Sequence, residues 1–212
     1  PEEIYPELIE TIRSEKKICH YLDLPIQHVS DRILKRMGRR TTKKKLKELI
    51  AELREAIPDI VLRTTLITGF PGETEEEHEE VMDFIDEMEF DRLGVFTYSR
   101  EDGTPAAAME GQIAEEVKEA RKAKIMELQQ EVSLDKGLSR VGQIVEAVVE
   151  GKITDEEAYV GRTYADAPGV DGYVFIHTPR DLMSGDIVRV RVTGALEYDL
   201  IGEIYDEDEY TE

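Results

Sequence analysis

At 212 residues the chain has room for one large domain, or for a medium domain with a small one attached. Its hydrophobic share of 40% supports a folded core, its charged share of 35% implies a heavily solvated surface, and a single cysteine excludes an internal disulfide framework. There is no apolar run long enough to cross a bilayer and no signal-like N-terminus, so a soluble, cytoplasmic protein with no membrane partner is expected; a net charge of −21 predicts repulsion of phosphate backbones and attraction of basic proteins.

In chain order, Glu2 to Ser14 reads as a helix with Ile4, Leu8, Ile9 and Ile12 on one side. Lys17 to Leu24 reads as a strand stopped by Pro25, in which Cys19 is expected to be a small buried residue. Ile26-Gln-His-Val-Ser30 is a polar turn whose Ser30 caps a short helix carrying Ile33, Leu34 and Met37, ended by Gly38. Leu46 to Ile57 is a further helix, closed by Pro58. Nine basic residues crowd between Arg32 and Lys47; such a run is usually a solvated helix face, and the alternative is contact with a phosphate or an acidic partner.

Val61 to Ile67 is apolar and β-branched with little strict alternation, the pattern of a strand covered on both faces. It runs into Gly69-Phe-Pro-Gly72, and Thr74 with Glu77 then spells a capping box that opens an acidic helix. A strand passing through a glycine turn into a helix N-terminus is where α/β folds hold ligands, although an ordinary β–α connection looks the same. Arg92 to Tyr98 is another strand, followed by the loop Ser99–Pro105 and a long helix from about Ile113 to Leu138. Strands alternating with helical patterns predict a parallel sheet wrapped by helices, with Gln27, His28, Thr68, Gly69, Ser99 and Arg100 on one rim. Three parallel strands cannot close a barrel, so this region reads as part of a larger one.

Past Gly142, five short alternating stretches separated by Gly, Asp and Pro turns predict a small Greek-key barrel of the OB kind. The expected boundary puts 1–137 in the first domain and 138–212 in the second. Residues 138–212 hold six Arg and Lys against seventeen Asp and Glu, a net of −11, which favours a basic protein over RNA as its partner.

Four stretches together, Tyr21–His28, Ser30–Met37, Arg63–Thr74 and Phe90–Pro105, closely resemble the radical S-adenosylmethionine methylthiotransferases. Residues 138–212, including Gly161–Pro168 and Asp171–Ile176, resemble the TRAM domain that closes those enzymes. The resemblance implies an α/β fold: part of a radical SAM (β/α) TIM-like partial barrel followed by a small all-β, OB-like TRAM barrel. Gln27-His28-Val-Ser30 and the acidic last domain resemble the branch that methylthiolates the β-carbon of an aspartate in small-subunit ribosomal protein S twelve. That branch implies a basic ribosomal protein, or the small ribosomal subunit, as partner; tRNA, the client of the sister branch, fits less well.

The resemblance also implies cofactors, namely S-adenosylmethionine and, in the full-length family enzyme, two [4Fe–4S] clusters, one held by a C-x-x-x-C-x-x-C loop. Cys19 alone can ligate neither. The chain is therefore expected to be the C-terminal part of such an enzyme, with no metal ligands of its own and no activity alone. The implied cofactor-binding residues are Gln27, Arg63, Thr65, Ile67, Gly69 and Phe70, and the substrate-facing ones are His28, Ser99 and Arg100. Plainer readings stand beside each: a hydrogen-bonded turn for Gln27 and His28, a structural salt bridge for Arg63, a polar loop for Ser99 and Arg100. His20, His78 and His177 show no metal-ligand spacing and are expected to be structural or surface residues. A third function, from another class, is a cluster-free module that docks a basic protein. Anaerobic reconstitution of this chain with iron and sulfide is expected to give no absorbing, reducible cluster; such a cluster would overturn the ligand count.

Overall fold

The computed structural model describes Pro1 and residues 3–206. The chain divides into two compact units, Pro1–Val132 and Ser133–Glu212.

In the first unit, α1 (Pro6–Ser14), β1 (Tyr21–Asp23), α2 (Asp31–Arg36), α3 (Lys43–Ala56), β2 (Val61–Thr68), α4 (Glu75–Met88) and β3 (Arg92–Thr97) surround a parallel sheet in the order β1-β2-β3. Helix α5 (Glu115–Leu138) follows and runs on into the second unit. Pro6 at the first helical turn sets the start of α1, and Thr42 caps α3 ahead of the expected Leu46 by accepting from the Lys45 N–H. The part of the first predicted helix at Glu2 lies outside the described residues. The predicted strand from Lys17 shrinks to three residues, and Cys19, read as buried, is exposed before it.

Strand β2 alternates, which corrects the expectation of two covered faces. Leu62, Thr64, Leu66 and Thr68 are buried, while Arg63, Thr65 and Ile67 are half-buried on the other face. The buried side packs with Leu93 and Val95 of β3, Leu46, Ile50 and Leu53 of α3, Val81, Phe84 and Ile85 of α4, and Ile125 of α5. Parallel pairing sets Thr65 beside Gly94 and Ile67 beside Phe96, so these four share the open face, where Phe96 is 61% exposed. Hydrophobic β-branched residues hid this because Thr and Ile serve on either face.

The basic run resolves into ion pairs. Lys43 meets Glu80 at 3.2 Å, Lys47 meets Glu87, and Arg32 meets Glu77, all across to α4, while Lys44 pairs with Glu48 on its own helix. The acidic face of α4 is thus the partner of much of this run.

The second unit contains a closed barrel of β4 (Ile144–Lys152), β5 (Ala158–Arg162), β6 (Val174–His177), β7 (Ile187–Ala195) and β8 (Leu200–Ile204), in the order β4-β5-β6-β8-β7. Only the β6–β8 pair is parallel. Register shifts at Val149/Gly151 and Val192/Gly194 bend the long strands β4 and β7 so that they close. The interior is Ala147, Val149, Tyr159, Val174, Ile176, Val190, Val192 and Leu200, and the Tyr159 hydroxyl accepts from the Leu182 N–H at 3.1 Å. Gly172 approaches the chain so tightly that a Cβ there would lie 2.0 Å from the Tyr198 carbonyl oxygen. Gly172→Ala is therefore expected to cost about 1–3 kcal/mol through overpacking against backbone, read as a lower urea midpoint by far-UV circular dichroism; an unchanged midpoint would refute this packing.

Candidate cofactor cavity at the strand ends

A cavity of about 780 Å³ opens on the uncovered face of the sheet. Thr65, Ile67, Phe96 and Thr97 line it from the strands, Gln27 from the segment after β1 that bridges to Leu66, Arg36, Met37, Gly38 and Arg39 from the end of α2, and Phe70, Tyr98 and Ser99 from the loops that leave β2 and β3. Thr104, Pro105, Ala106 and Met109 close the far side. This size suits a small organic ligand, and the wall is largely apolar with three aromatic rings and two guanidinium groups.

Gln27 reaches the cavity through an uncommon backbone. Its φ of 69° lies in the left-handed region, which costs a non-glycine residue about 1–2 kcal/mol. Two ladder bonds hold it there: its N–H donates to Thr65 O at 2.9 Å and its carbonyl accepts from the Ile67 N–H at 2.8 Å. Residues forced into such conformations gather at functional sites.

The glycine turn is shaped differently from the expectation. Glu73, 5% exposed, folds back over it, and Oε2 accepts from the Gly69 N–H at 2.7 Å and the Phe70 N–H at 3.2 Å. Oε1 accepts from Arg121 at 2.9 Å and from the Thr68 hydroxyl at 3.3 Å. Burial pushes the Glu73 carboxyl up, but His28, Arg121 and the Gly69 N–H more than reverse this and leave it below the ordinary glutamate range. Arg121 reaches on to Glu75 at 3.0 Å.

Lys118 lies across the same turn, its Nζ donating to Tyr98 O at 2.8 Å and pairing with Glu115 at 3.0 Å. A Cβ at Gly69 would sit 2.3 Å from Lys118 Cγ, and φ there is +74°. Glycine is thus required by Lys118 and by the turn itself. Gly69 is buried, while the neighbouring Phe70 ring faces the cavity and packs edge-on against Tyr98 at 5.3 Å.

The capping box forms in full, with the Thr74 hydroxyl accepting from the Glu77 N–H and Glu77 accepting from the Thr74 N–H. Glu77 also accepts from the Ser30 hydroxyl at 2.7 Å and Arg32 Nε at 2.9 Å. Burial raises this carboxyl, yet the hydrogen bonds from Arg32, Ser30 and Thr74 prevail and hold it at about 2. Ser30 in turn accepts from the Ile33 N–H, so one carboxylate joins the N-termini of α2 and α4 beside the cavity.

Of the nine residues expected at the site, Gln27, Thr65, Ile67, Phe70 and Ser99 line the cavity. Four do not. His28, expected to face substrate, is 1% exposed: Nδ1 accepts from the Ser30 N–H, so Nε2 carries the hydrogen and points toward Glu73 at 3.5 Å, too long for a good hydrogen bond. Arg63 forms a salt bridge to Asp23 at 2.8 Å, and Gly69 lies under Lys118. Arg100 is exposed, and its Nε donates to Ala107 O at 3.0 Å, which braces the loop rather than the ligand space. Sequence reasoning missed Arg36, Arg39, Phe96 and Tyr98. The two arginines stood in the basic run, but only the fold brings them to the cavity. Among the other histidines, His20 pairs with Asp59 at 2.6 Å, and His78 is buried with neither ring nitrogen hydrogen-bonded among the described residues. Burial first and Arg121 second hold His78 below its ordinary value.

The residues present suit S-adenosylmethionine, with rings for a base and cations for a carboxylate. They do not suit an iron–sulfur cluster, since Cys19 is the sole thiol and no group of three His, Cys, Asp or Glu able to hold a metal ion occurs among the described residues.

Residues 1–85 match the radical SAM superfamily and residues 141–204 match the TRAM domain. The chain is 58% identical over 95% of its length to a protein named ribosomal protein uS12 methylthiotransferase RimO from Lachnoclostridium phytofermentans, covering 46% of that protein. It is 53% identical over 96% of its length to the protein of that name from Pelotomaculum thermopropionicum, again covering 46%. The chain thus spans about half the length of the curated relatives it matches. Coproporphyrinogen III oxidase (HemN) from Escherichia coli, described as a radical SAM enzyme, superposes with a TM-score of 0.50 at 20% identity, over 68% of this chain and 32% of that one, a likeness of fold alone. No helix among the described residues is long and apolar enough to cross a membrane.

Arg121→Met is expected to destabilise the first unit by about 3–5 kcal/mol, because it strips the buried Glu73 of its guanidinium. The sign with pH follows from the depressed carboxyl: its stabilisation is present above the ordinary glutamate value and is lost as pH falls through the lowered one. In the variant that carboxyl rises, so acid unfolding should begin at higher pH than in the parent; an unshifted acid transition would contradict the pairing.

Proposed function

We propose that this chain, which belongs to the ribosomal-protein (RimO) branch of the radical S-adenosylmethionine methylthiotransferase family, supplies the nucleoside pocket and the client-binding barrel of an enzyme that methylthiolates the β-carbon of an aspartate in ribosomal protein uS12. Residues 1–137 are the second half of the radical barrel with its connecting helix, and 138–212 the TRAM barrel. The observation that carries the reading is the cavity itself, where five residues singled out for the cofactor or substrate meet on the open ends of the strands.

The pocket takes S-adenosylmethionine. Phe70, Phe96 and Tyr98 offer ring faces and edges to the adenine, the Gln27 backbone fixes the strand-end contour, and Thr65 with Ile67 floors the site. Ser99, whose hydroxyl donates to Glu101 at 2.8 Å, borders the side where a substrate loop enters. When bound, the cofactor supplies hydrogen abstraction from the target carbon after one-electron reduction, and this chain's share is positioning and exclusion of water.

The client is a basic protein. The balance of six basic against seventeen acidic side chains over 138–212 supports it. The tRNA-directed alternative has in its favour a small patch among the described residues, Arg189 and Arg191 flanking the Tyr205 ring at 5.1 and 5.0 Å. A cytoplasmic location follows from a ribosomal client.

The test is equilibrium dialysis of the chain against labelled S-adenosylmethionine. Saturable binding is expected, and Phe70→Ala should weaken it about tenfold, the worth of one stacked base. No binding by a folded parent chain would sink the pocket, and failure of added uS12 to associate at low salt would sink the client.

A further inference from the structure

Helix α5 sends one lysine into the interior beside the strand ends. Lys118 stands in the first turn of that helix and is 5% exposed. Helix stability does not ask for it there: cations are disfavoured at a helix N-terminus, and a buried ammonium is costly unless its donors are taken. Nζ donates to the Tyr98 carbonyl at 2.8 Å and pairs at 3.0 Å with Glu115, whose side chain is mostly in solvent. The reason for a lysine at this position lies in what its side chain touches.

It touches both loops whose rings line the cavity. The stem fills the space left by the missing Cβ of Gly69, with Lys118 Cγ at 2.3 Å and Cδ at 3.0 Å from where that atom would be, and Phe70 is the next residue. The ammonium lies 5.4 Å from the centroid of the Tyr98 ring, within cation–π range, while it holds the carbonyl of the same residue. The Tyr98 N–H is tied to Thr68 O at 2.9 Å, so the backbone of Tyr98 is bonded through both of its polar groups. The two rings then meet each other edge-on at 5.3 Å and 69°. Glu73 fixes the amides of the turn after β2, and Lys118 ties that turn to the residue after β3.

We propose that Lys118 is a positioning residue for the cofactor, which sets the Phe70–Tyr98 pair in the geometry that receives the adenine before any ligand enters. It does not line the cavity and acts through the two rings that do. This rests on the nucleoside-pocket reading above and deepens it. Rings already held in place lose less freedom on binding than rings the ligand must order, so the contribution of Lys118 is read in affinity.

The test uses the whole 212-residue chain, calorimetric titration with S-adenosylhomocysteine, and near-UV circular dichroism of the tyrosine band. Lys118→Met keeps an apolar stem against Gly69 and removes the charge and the donor, whereas Lys118→Arg keeps both. Ile50→Val is the control for stability alone, since Ile50 belongs to the core cluster of the helices and not to the cluster that holds Phe70 and Tyr98. Lys118→Met should bind about tenfold more weakly, the scale of ordering two side chains on binding. It should also lose the part of the tyrosine band that Tyr98→Phe removes. Lys118→Arg should restore most of the affinity, and Ile50→Val should bind like the parent in spite of a lower melting temperature. If the Met variant does not fold, Lys118→Gln replaces it with the same expectation. Parent-like affinity in the folded variant overturns the positioning role and leaves the pocket reading standing. So does a loss that Ile50→Val shares, that Lys118→Arg fails to restore, or that leaves the tyrosine band unaltered, because each makes Lys118 a structural residue only. No binding by the folded parent ends the nucleoside reading, and the positioning role with it.

Discussion

The Glu73 carboxylate is the contact on which the wall of the strand-end cavity depends. One buried side chain receives two N–H groups of the glycine turn, a threonine hydroxyl and a guanidinium from α5. It fixes the backbone of the turn after β2 beside the place where Phe70 packs against Tyr98. Charges this deep are tolerated only with full compensation, and here α5 supplies it through Arg121, with Lys118 pinning the turn a short distance away. The first unit therefore carries its site on packed elements, with the long helix as a brace.

A second tier of polar contacts works around the same place. Glu77 completes its capping box and, through Ser30 and Arg32, ties α2 to α4. That connection holds the start of α2 against α4, and the other end of α2, turned at Gly38, carries Arg36 and Arg39 to the cavity. Most other members of the basic run have carboxylates on α4 or on their own helix, so the run that looks uniform along the chain splits in space into structural charges and cavity-lining ones.

Much of the architecture was legible because periodicity and turn chemistry are local. The capping box, the helix-ending glycine and proline, the parallel order of strands and all five barrel strands are written in neighbouring residues. What stayed hidden depends on distant partners. The exposure of β2 on one face was masked since Thr65 and Ile67 have the same character as core residues, and only pairing with Gly94 and Phe96 reveals the open side. Arg63 looked costly inside a strand, and Asp23 on the neighbouring strand answers for it. His28 sat beside Gln27 in the chain, but the left-handed backbone at Gln27 directs the pair to different places, one to the cavity and one to the interior. Cys19 belonged to an apparent strand that begins two residues later, which leaves the thiol in water.

The occupied state of the glycine turn also bears on how the neighbouring cavity can meet a ligand. Where nucleotide-binding turns leave their amide hydrogens free for phosphate oxygens, this turn has given two of them to its own carboxylate. The Gly69 and Phe70 amides are therefore already taken, and what the cavity offers a ligand comes from the strand ends, the end of α2 and the aromatic rings.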